Sequence, residues 1–302
     1  MSFGEDALPR PSCGDRSGSP ISRSRVLAVI PAYNPPPDDL AATLESMLAQ
    51  TAEVEICLID DGSTPAIEIP EFARDRTHLL RLPRNGGITV ALRAGAQFAF
   101  DAGYEFVCRL DVGDRSYPHR VERQLRFLED HPNVDLVGAF ARVVEAGGGR
   151  TLFHHGIRGG PTAVAAYLRK NSPFRHSTFF IRTRALIESG SYLIAFDGAE
   201  DYELLLRLAK TKGVDCLPET LVDYVVDPGG ISEASRSRQL RKRLAAQLLH
   251  LAPFNLAAYA GVLRTLIVMA MPRALARQAT LWTWSQRSRQ VQPIKLAGMT
   301  DV

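Results

Sequence analysis

Residues 54–63 read VEICLIDDGS, and residues 26–33 read VLAVIPAY. In each stretch a short apolar run rich in β-branched residues passes directly into a turn. Runs of this length and composition predict strands that are buried on both faces, as in a parallel sheet. Between the two strands, apolar residues recur at helical spacing behind an aspartate that caps the predicted helix, at Leu40, Thr43, Leu44, Met47 and Leu48. The order strand, helix, strand indicates a β-α-β unit.

The same alternation continues along the chain. Apolar runs predict strands at 79–82, 105–110, 134–140 and 177–181. Helical periodicity predicts helices at 88–102, 118–130 and 201–211. The three glycines at 147–149 predict a hairpin turn or a loop. The sequence therefore predicts an α/β fold that binds its ligands at the carboxyl edge of the sheet.

Composition and charge divide the chain into three parts. Of the 302 residues, 45% are apolar and 23% are charged, which fits a globular protein. Residues 1–24 are rich in Ser, Pro, Gly and Arg without a hydrophobic period, so we expect a disordered leader. From Ile231 onward eleven Lys and Arg accompany two acids, a net charge of +9, so the first 230 residues carry −6. We expect a globular domain over 25–232 and a basic, partly apolar helical tail over 233–302.

The tail contains an apolar run at 255–271, NLAAYAGVLRTLIVMAM, with Arg264 in its middle. The run is shorter than the roughly 20 residues that cross a bilayer, and a central charge is costly there, so a membrane-spanning helix is disfavoured. Two interpretations stay open: a helix that lies in the membrane interface, or a helical arm that packs on the domain with a solvated basic face. The basic and aromatic residues around the run are Arg241, Lys242, Arg243, Arg273, Arg277, Trp282 and Trp284.

Residue usage disfavours two classes of function. The four cysteines are far apart and form no C-x-x-C pair, so they indicate reduced cysteines of a cytoplasmic protein instead of a disulfide or zinc framework. They are Cys13, Cys57, Cys108 and Cys216. The basic tail lacks an interleaved aromatic and basic surface, so we expect no nucleic acid as a partner.

Three acidic loops follow predicted strands or begin a predicted helix. Residues 60–63 (DDGS) end a strand, although Asp-Gly-Ser is also ordinary turn chemistry. Residues 111–114 (DVGD) end another strand and offer oxygen ligands to Mg²⁺ or Mn²⁺, or else cap a helix. Residues 200–201 (ED) begin a helix, where acidic side chains also interact favourably with the helix dipole.

Taken together, these loops and their neighbours resemble the inverting family 2 glycosyltransferases of bacterial surface-polysaccharide synthesis. The resemblance covers about residues 26–232 and rests on VIPAYNP (29–35), EICLIDDGST (55–64), NGG (85–87), RLDVGD (109–114), PHRVERQLRFLEDHPNVDLVG (118–138), NSPFRHSTFFIR (171–182) and AEDYELLLRLA (199–209). It implies a GT-A fold, a three-layer α/β/α arrangement around a central, mostly parallel sheet, which is followed here by a C-terminal helical basic arm. It also implies a nucleotide-sugar donor, with a UDP-sugar favoured, over the carboxyl edge of the sheet.

The resemblance assigns the donor side of the site. Asp61 would accept a hydrogen bond from the base. Asp111 matches the first acid of the family's Asp-x-Asp motif, which contacts the ribose and the metal. The residues expected to bind the nucleotide sugar are Pro31, Ala32, Tyr33, Asp60, Asp61, Arg109 and Asp111.

The resemblance also assigns the acceptor side. Asp201 matches the acid of the family's Glu-Asp pair and is the expected general base, with Glu200 beside it. His176 and Ser177 match positions near the acceptor, although a histidine beside an apolar strand is often structural. Asp201 would take the proton of the acceptor hydroxyl while the nucleoside diphosphate leaves, so that one in-line displacement inverts the anomeric centre.

Two positions depart from the family pattern, and both concern the metal. Gly113 stands where the second acid of the Asp-x-Asp motif binds the cation, and Asp227 stands where members often carry a histidine. Three outcomes stay open: a weak metal site, arginines such as Arg109 or Arg115 in place of the cation, or a Mn²⁺ or Mg²⁺ site rebuilt from Asp111, Asp114 and Asp227.

We therefore predict an enzyme that adds one sugar to a glycan or polyprenyl-linked acceptor, in the cytoplasm or at the inner face of the cell membrane. The sequence shows no Gln-x-x-Arg-Trp motif of processive members, which favours single transfers. One alternative is a catalytically weak or inactive nucleotide-sugar-binding partner of another transferase, which Gly113 and Asp227 favour and the Glu200–Asp201 pair opposes. A nucleotidyltransferase is less favoured, because PAYNPPPDD (31–39) contains neither the glycine nor the basic residue of a phosphate loop.

Overall fold

The computed structural model describes residues 24–147, 149–211, 213–226 and 236–288, which form nine β-strands and nine α-helices. The strands are β1 (Val26–Ala32), β2 (Glu55–Asp60), β3 (Thr77–Arg81), β4 (Phe106–Arg109), β5 (Arg115–Ser116), β6 (Val134–Glu145), β7 (Thr151–His155), β8 (Phe180–Arg182) and β9 (Gly213–Val226). The helices are α1 (Pro37–Leu48), α2 (Ile88–Asp101), α3 (Arg120–Asp130), α4 (Gly160–Leu168), α5 (Thr183–Glu188), α6 (Glu200–Thr211), α7 (Arg236–Leu249), α8 (Leu256–Ala270) and α9 (Arg273–Ser288). Short 3₁₀ turns cover Glu71–Arg76, His176–Thr178 and Ile194–Phe196.

The strands form one sheet in the order β3-β2-β1-β4-β8-β6-β9-β5, with β7 also paired to β6. Strands β1 to β4 are mutually parallel, and so are β6 and β9. The other pairs are antiparallel, so the sheet is parallel in its first half and mixed in its second half. Strand β7 follows β6 after a short connection, which reverses the chain direction as the glycines at 147–149 predict. The predicted α/β class is confirmed.

The predicted strand 177–181 is wrong at its start, because residues 176–178 form a 3₁₀ turn and β8 begins only at Phe180. The amides of Thr178 and Phe179 donate to the carbonyl oxygens of Arg175 and His176, at 3.0 and 2.9 Å. These local hydrogen bonds replace sheet pairing at the start of the segment. The turn also brings Ser177 to the loop that follows β4, where it meets Asp111.

Helices cover both faces of the sheet and complete a three-layer structure. Alternate residues of β1 enter the two apolar layers, as the two-residue period of a strand requires. The layer on the α2 and α6 side receives Leu27 and Val29, and the layer on the α1 and α3 side receives Val26, Ala28 and Ile30. Helix α2 approaches the sheet closely at Gly95, where an added Cβ would lie 2.6 Å from Cγ1 of Val29. The layers hold the carboxyl ends of β1, β2 and β4 at one edge.

The C-terminal helices pack on this domain. Helix α7 lies against α6, and α8 contacts the end of α4 at Gly261, where an added Cβ would lie 2.1 Å from the carbonyl oxygen of Arg169. On α9, Trp284 is 4% exposed and stacks on Phe153 of β7, with ring centroids 6.0 Å apart. The predicted helical arm is therefore present, and these contacts favour the packed arrangement.

The outer face of the arm stays apolar. The large apolar side chains exposed along it include Phe254, Leu256, Tyr259, Leu263, Leu266, Ile267 and Trp282. None of the helices in the described ranges combines the length and the apolarity that a bilayer crossing requires.

Of the predicted domain boundaries, only the one between residues 24 and 25 falls within the described residues. Ser24, assigned to the leader, is buried, and its hydroxyl donates to the carbonyl oxygen of Glu53 at 2.9 Å, so it belongs to the folded domain. Residues 1–23 and the predicted boundary between 232 and 233 lie outside the described residues. The division into domain and tail stays a prediction.

Candidate active site

The loop after β2 is held by Asp60, which is fully buried. Its Oδ1 accepts a hydrogen bond from the Ser63 amide at 2.7 Å, and its Oδ2 accepts from the Ile67 amide at 3.2 Å and the Arg81 guanidinium at 2.7 Å. Burial alone would raise the pKa of Asp60, but these donors bring it below its usual value. Both oxygens already have protein partners, so Asp60 stabilises the conformation of this loop.

Asp61 joins this loop to the start of α2. Its two carboxylate oxygens accept hydrogen bonds from the amides of Gly86 and Gly87, at 2.8 and 2.9 Å. Burial raises the pKa of Asp61, the two amides lower it, and the charges of Asp60 and Asp197 keep the net shift upward. A carboxylate oxygen has two lone pairs, so each retains one for a further donor. This is what the predicted hydrogen bond from a base requires.

Tyr33 follows β1 at the same edge and exposes 46% of its surface. The amide of Asp61 donates to the carbonyl oxygen of Ala32 at 2.8 Å, which ties the end of β1 to the loop after β2. Pro31 is half-buried and Ala32 is buried. The predicted pocket residues therefore lie together, with an exposed aromatic ring at their open side.

Asp111 and Asp114 meet around Ser177. The Ser177 hydroxyl lies 3.0 Å from Oδ2 of Asp111 and also contacts Oδ2 of Asp114. Oδ1 of Asp111 pairs with the Arg109 guanidinium, and Oδ1 of Asp114 accepts from the Val225 amide at 2.8 Å. A hydroxyl carries one hydrogen and donates to one carboxylate at a time. We infer that Asp114 is protonated and donates to Ser177, while Ser177 donates to Asp111.

The electrostatics of the pair agree with this arrangement. Burial raises the pKa of Asp114 to about 7, and the Asp111 charge adds to that shift. Burial also raises the pKa of Asp111, but the Arg109 guanidinium holds it below its usual value. At a pH below the pKa of Asp114 the pair carries one negative charge, which Arg109 balances.

The described acids do not fit a bound divalent cation. The Arg109 guanidinium and the proton on Asp114 already compensate the charge of the pair, so a cation would meet a positive charge beside the acids. Gly113 supplies no ligand where an acid was expected, and nothing lies within 4 Å of a Cβ added there. Within the part of the chain that the structure describes, no three His, Cys, Asp or Glu side chains gather as a metal-binding group. Asp227 lies outside the described residues, so the rebuilt Mn²⁺ or Mg²⁺ site stays a prediction.

The two arginines named as substitutes for the cation are bonded within the protein. Arg109 is 1% exposed and donates to the Leu110 carbonyl oxygen and to Asp111. Arg115 donates to the carbonyl oxygens of two residues of its own loop, at 2.9 and 3.1 Å. Both side chains stabilise the loop that follows β4.

Glu200 and Asp201 begin α6. Oε2 of Glu200 accepts from the Gly198 amide at 2.7 Å, and Oδ1 of Asp201 accepts from the Tyr202 amide at 2.7 Å. Burial raises the pKa of Glu200 to about 8, with the Asp201 charge adding to the shift. Burial also raises the pKa of Asp201, but the Tyr202 amide and the Arg243 guanidinium limit the rise. Oδ2 of Asp201 accepts no hydrogen bond from the described residues.

His176 is buried in the 3₁₀ turn before Ser177. Its Nε2 lies 3.0 Å from the Tyr192 hydroxyl, and its ring meets Phe179 with centroids 4.8 Å apart. Burial lowers the pKa of His176 to about 3, so the imidazole is neutral near pH 7. These contacts are structural, and the place of His176 on the acceptor side stays a prediction.

Arg175, which the sequence interpretation did not single out, lies among these acids. Its guanidinium carbon is 4.6 Å from the centroid of the Tyr224 ring, and its charge lowers the pKa of Asp201. Its Nε is buried without a hydrogen-bond partner. The segment NSPFRHSTFFIR (171–182) contains this arginine, but a sequence does not reveal which charged side chain stays unpaired.

The tail reaches the site through α7. The guanidinium of Arg243 lies 4.3 Å from the centroid of the Tyr202 ring and donates to Oδ1 of Asn171 at 2.7 Å. Arg238 pairs with Asp197, which lies in the loop before α6. The first helix of the tail therefore borders the acidic loop of the site.

Comparison with known proteins places these features in one family. The sequence model of the family described as "Glycosyl transferase family 2" matches residues 27–190, more than half of the chain. An uncharacterized glycosyltransferase of Haemophilus influenzae is 31% identical over 202 residues, which cover 65% of this chain and 73% of that protein. The amylovoran biosynthesis glycosyltransferase AmsE of Erwinia amylovora is 30% identical over 57% of this chain and 64% of AmsE, so the match spans less than two thirds of AmsE.

A solved structure shares the fold. The crystal structure of S. aureus TarS 1-349 in complex with UDP superposes with a TM-score of 0.54 at 16% sequence identity. The superposition covers 82% of this chain and 73% of that structure. At this identity the likeness is one of fold.

Proposed function

Because the chain belongs to glycosyltransferase family 2, we propose that it moves one sugar from a nucleotide-sugar donor to a hydroxyl of a glycan or lipid-linked glycan, with inversion at the anomeric carbon. The observation that carries the proposal is that the charges of Asp111 and Arg175 both act on the pKa of Asp201. The acid expected to serve as the base and the acid expected to bind the donor therefore share one site.

The arrangement supports an in-line displacement. The acceptor oxygen attacks the anomeric carbon, and its proton passes to Oδ2 of Asp201. The bond from that carbon to the β-phosphate oxygen breaks, and its electron pair stays on the phosphate. Asp201 suits the base because the charges of Arg243 and Arg175 favour its carboxylate form and its Oδ2 accepts no hydrogen bond from the described residues. A single displacement from the opposite face inverts the centre.

A uridine nucleotide is the favoured carrier of the sugar. TarS, whose structure was determined in complex with UDP, shares the fold. In this chain Tyr33 offers an exposed ring on which a base can stack, and Asp61 retains lone pairs for a hydrogen bond from the base. The proposed donor pocket consists of Pro31, Ala32, Tyr33, Asp61 and Asp111, with Asp60 and Arg109 shaping its loops.

Thermal unfolding with nucleotides tests this pocket. At about 100 times its Kd, a nucleotide adds about 2.7 kcal/mol to the free energy of unfolding, a shift of several degrees. We expect UDP to give the largest shift in a series with GDP, dTDP and CDP. Tyr33→Ala should reduce the shift, whereas Phe72→Ala, at another exposed aromatic residue, should leave it unchanged. The absence of a shift with all four nucleotides would contradict the proposal.

Glu200→Gln is expected to keep most of the turnover, because glutamine resembles the protonated carboxyl that the raised pKa of Glu200 favours. In both proteins kcat/KM should rise with pH as Asp201 loses its proton, since only the carboxylate accepts the acceptor proton. The midpoint should lie above about 4, the ordinary value for aspartate, because the pKa of Asp201 is raised in the folded protein. Rates measured from about pH 5 to 9 check this. A loss of about 100-fold in Glu200→Gln would instead make Glu200 the base.

We further propose that the outer face of α8 binds the surface of the cell membrane, at its inner side, where a polyprenyl-linked acceptor would lie. Phe254 and Leu256, at the start of this face, are 102% and 87% exposed. The tail around them is basic, which favours anionic lipid. The apolar face and the positive charge together support peripheral binding.

Vesicle co-sedimentation tests the membrane proposal. Burying two large apolar side chains contributes about 1.5–3 kcal/mol each, so Phe254→Glu combined with Leu256→Glu should weaken binding to phosphatidylglycerol-containing vesicles by at least about 10-fold. Phe100→Glu, at an exposed residue of α2, is the matched control and should bind like the wild type. Equal binding of all three proteins would contradict the proposal.

A second candidate function is a nucleotide-sugar-binding partner with little or no turnover. Gly113 favours it, because the loop after β4 lacks an expected acid. The Glu200–Asp201 pair opposes it, because a protein that only binds needs no base. Nucleotide binding without measurable donor hydrolysis or transfer by the wild type would support this alternative.

A further inference from the structure

Arg175 carries a positive charge for which the described residues provide neither a hydrogen bond nor an ion pair. Its guanidinium rests on the Tyr224 ring, 4.6 Å from the centroid. Its backbone is fixed, because its carbonyl oxygen accepts from the Thr178 amide at 3.0 Å and the Thr178 hydroxyl at 2.7 Å. The charge is held in place by a turn and an aromatic ring, and no described carboxylate forms an ion pair with it.

Arg175 lies among acids without pairing with any described one. The charges of Arg175, Asp114, Asp111 and Asp201 all act on the Tyr224 hydroxyl, so they are grouped around one ring. None of these carboxylates forms an ion pair with the guanidinium. A guanidinium that stays unpaired among acids keeps its planar set of donors available to phosphate oxygens.

The neighbouring arginines do not offer the same charge. Arg109 donates to Asp111, and Arg115 donates to carbonyl oxygens of its own loop. Arg243 donates to Oδ1 of Asn171 at 2.7 Å. Each of these side chains would have to leave a protein acceptor in order to bind a ligand, whereas Arg175 would not.

We propose that Arg175 binds the β-phosphate of the donor and stabilises the departing nucleoside diphosphate, in the place of a divalent cation that the described acids do not accommodate. This inference rests on the proposed function. When the bond between the anomeric carbon and the β-phosphate oxygen breaks, the electron pair stays on that oxygen. The Arg175 guanidinium donates hydrogen bonds to the phosphate and keeps all its protons, while the proton of the acceptor passes to Asp201.

Isothermal titration in EDTA tests the assignment, with UDP and UMP as probes. A charge-assisted contact to the β-phosphate should make the wild type bind UDP at least about 10-fold more tightly than UMP without metal. Arg175→Gln should remove this preference, and Arg175→Lys should keep part of it. The matched control is Arg158→Gln, because Arg158 also stacks on a ring, that of Phe140 at 5.3 Å, and it should behave like the wild type. Turnover of Arg175→Gln should fall by about 100-fold.

Three results would overturn the inference. One is a wild type that binds UDP more tightly than UMP only when Mn²⁺ or Mg²⁺ is present. This measurement needs no variant, and the result would leave the proposed function standing. Another is an Arg175→Gln protein that unfolds cooperatively and still prefers UDP in EDTA, which also leaves the proposed function standing. The third is a wild type that binds none of UDP, GDP, dTDP and CDP, with or without metal, which removes the proposed function together with the inference.

Discussion

Asp201→Asn is expected to reduce the turnover of sugar transfer by about 1,000-fold, within the range that a general base contributes. The amide is isosteric with the carboxylate and still accepts the hydrogen bond from the Tyr202 amide, so the start of α6 should keep its shape. It does not take the proton of the acceptor hydroxyl. Binding of the nucleoside diphosphate should change little, because the proposed donor pocket lies at the ends of β1, β2 and β4.

Steady-state rates and nucleotide titrations on the same preparation separate the two effects. Asp130→Asn is the matched control, because Asp130 is an exposed aspartate at the end of α3, and its turnover should equal that of the wild type. Loss of a general base is expected to cost roughly 100-fold or more in turnover. An Asp201→Asn protein that retains about a tenth or more of the turnover would therefore mean that another group accepts the proton. In that case Glu200, the neighbouring acid at the start of α6, would be the next candidate for the base.

Arg109→Leu is expected to lower the free energy of unfolding by about 1–3 kcal/mol, because it leaves the partly exposed Asp111 carboxylate without its charged partner. Leucine leaves Asp111 without its guanidinium and places it beside Asp114 with no compensating charge. The Asp111 carboxylate then keeps the hydrogen bond from Ser177 but has no counter-charge in the loop. Urea unfolding followed by far-ultraviolet circular dichroism measures the loss.

Arg126→Leu is the matched control for this substitution. Arg126 is exposed on α3, and changes at such positions usually alter stability by no more than about 0.5 kcal/mol. An unfolding free energy of Arg109→Leu within that margin of the wild type would show that Arg109 is not needed to balance the acids. The assignment of one shared negative charge to Asp111 and Asp114 would then be wrong.

The fold was predictable because several of its strands consist of unbroken apolar runs in the sequence. The runs at 26–30 and 54–59 correspond to Val26–Ala32 and Glu55–Asp60 in the structure. The GT-A fold implied by the family motifs is confirmed by the α/β structure and its superposition on TarS. The antiparallel position of β8 was not predictable, because a run of apolar residues carries no information about strand direction.

The sequence predicted which acidic residues belong to the site, but it did not predict their hydrogen-bond partners. Asp60 proved to be bonded to Arg81, which is 21 residues away in sequence, and Asp114 to the Val225 amide, which is 111 residues away. The packing of the sheet brings these distant residues together, and local sequence patterns do not predict such contacts. Arg175 was missed for the same reason, since the lack of a partner among the described residues is a property of its surroundings.

The two tryptophans of the chain, Trp282 and Trp284, both lie in α9, and this makes fluorescence a reporter of a single helix. Trp282 is 68% exposed while Trp284 is 4% exposed, so a quencher dissolved in water should reach them at very different rates. The emission of Trp284 reports whether α9 stays on β7, the strand that pairs with β6 off the main path of the sheet. If the emission and the circular dichroism change at the same urea concentration, tail and sheet unfold as one cooperative unit, and if they separate, the tail detaches first.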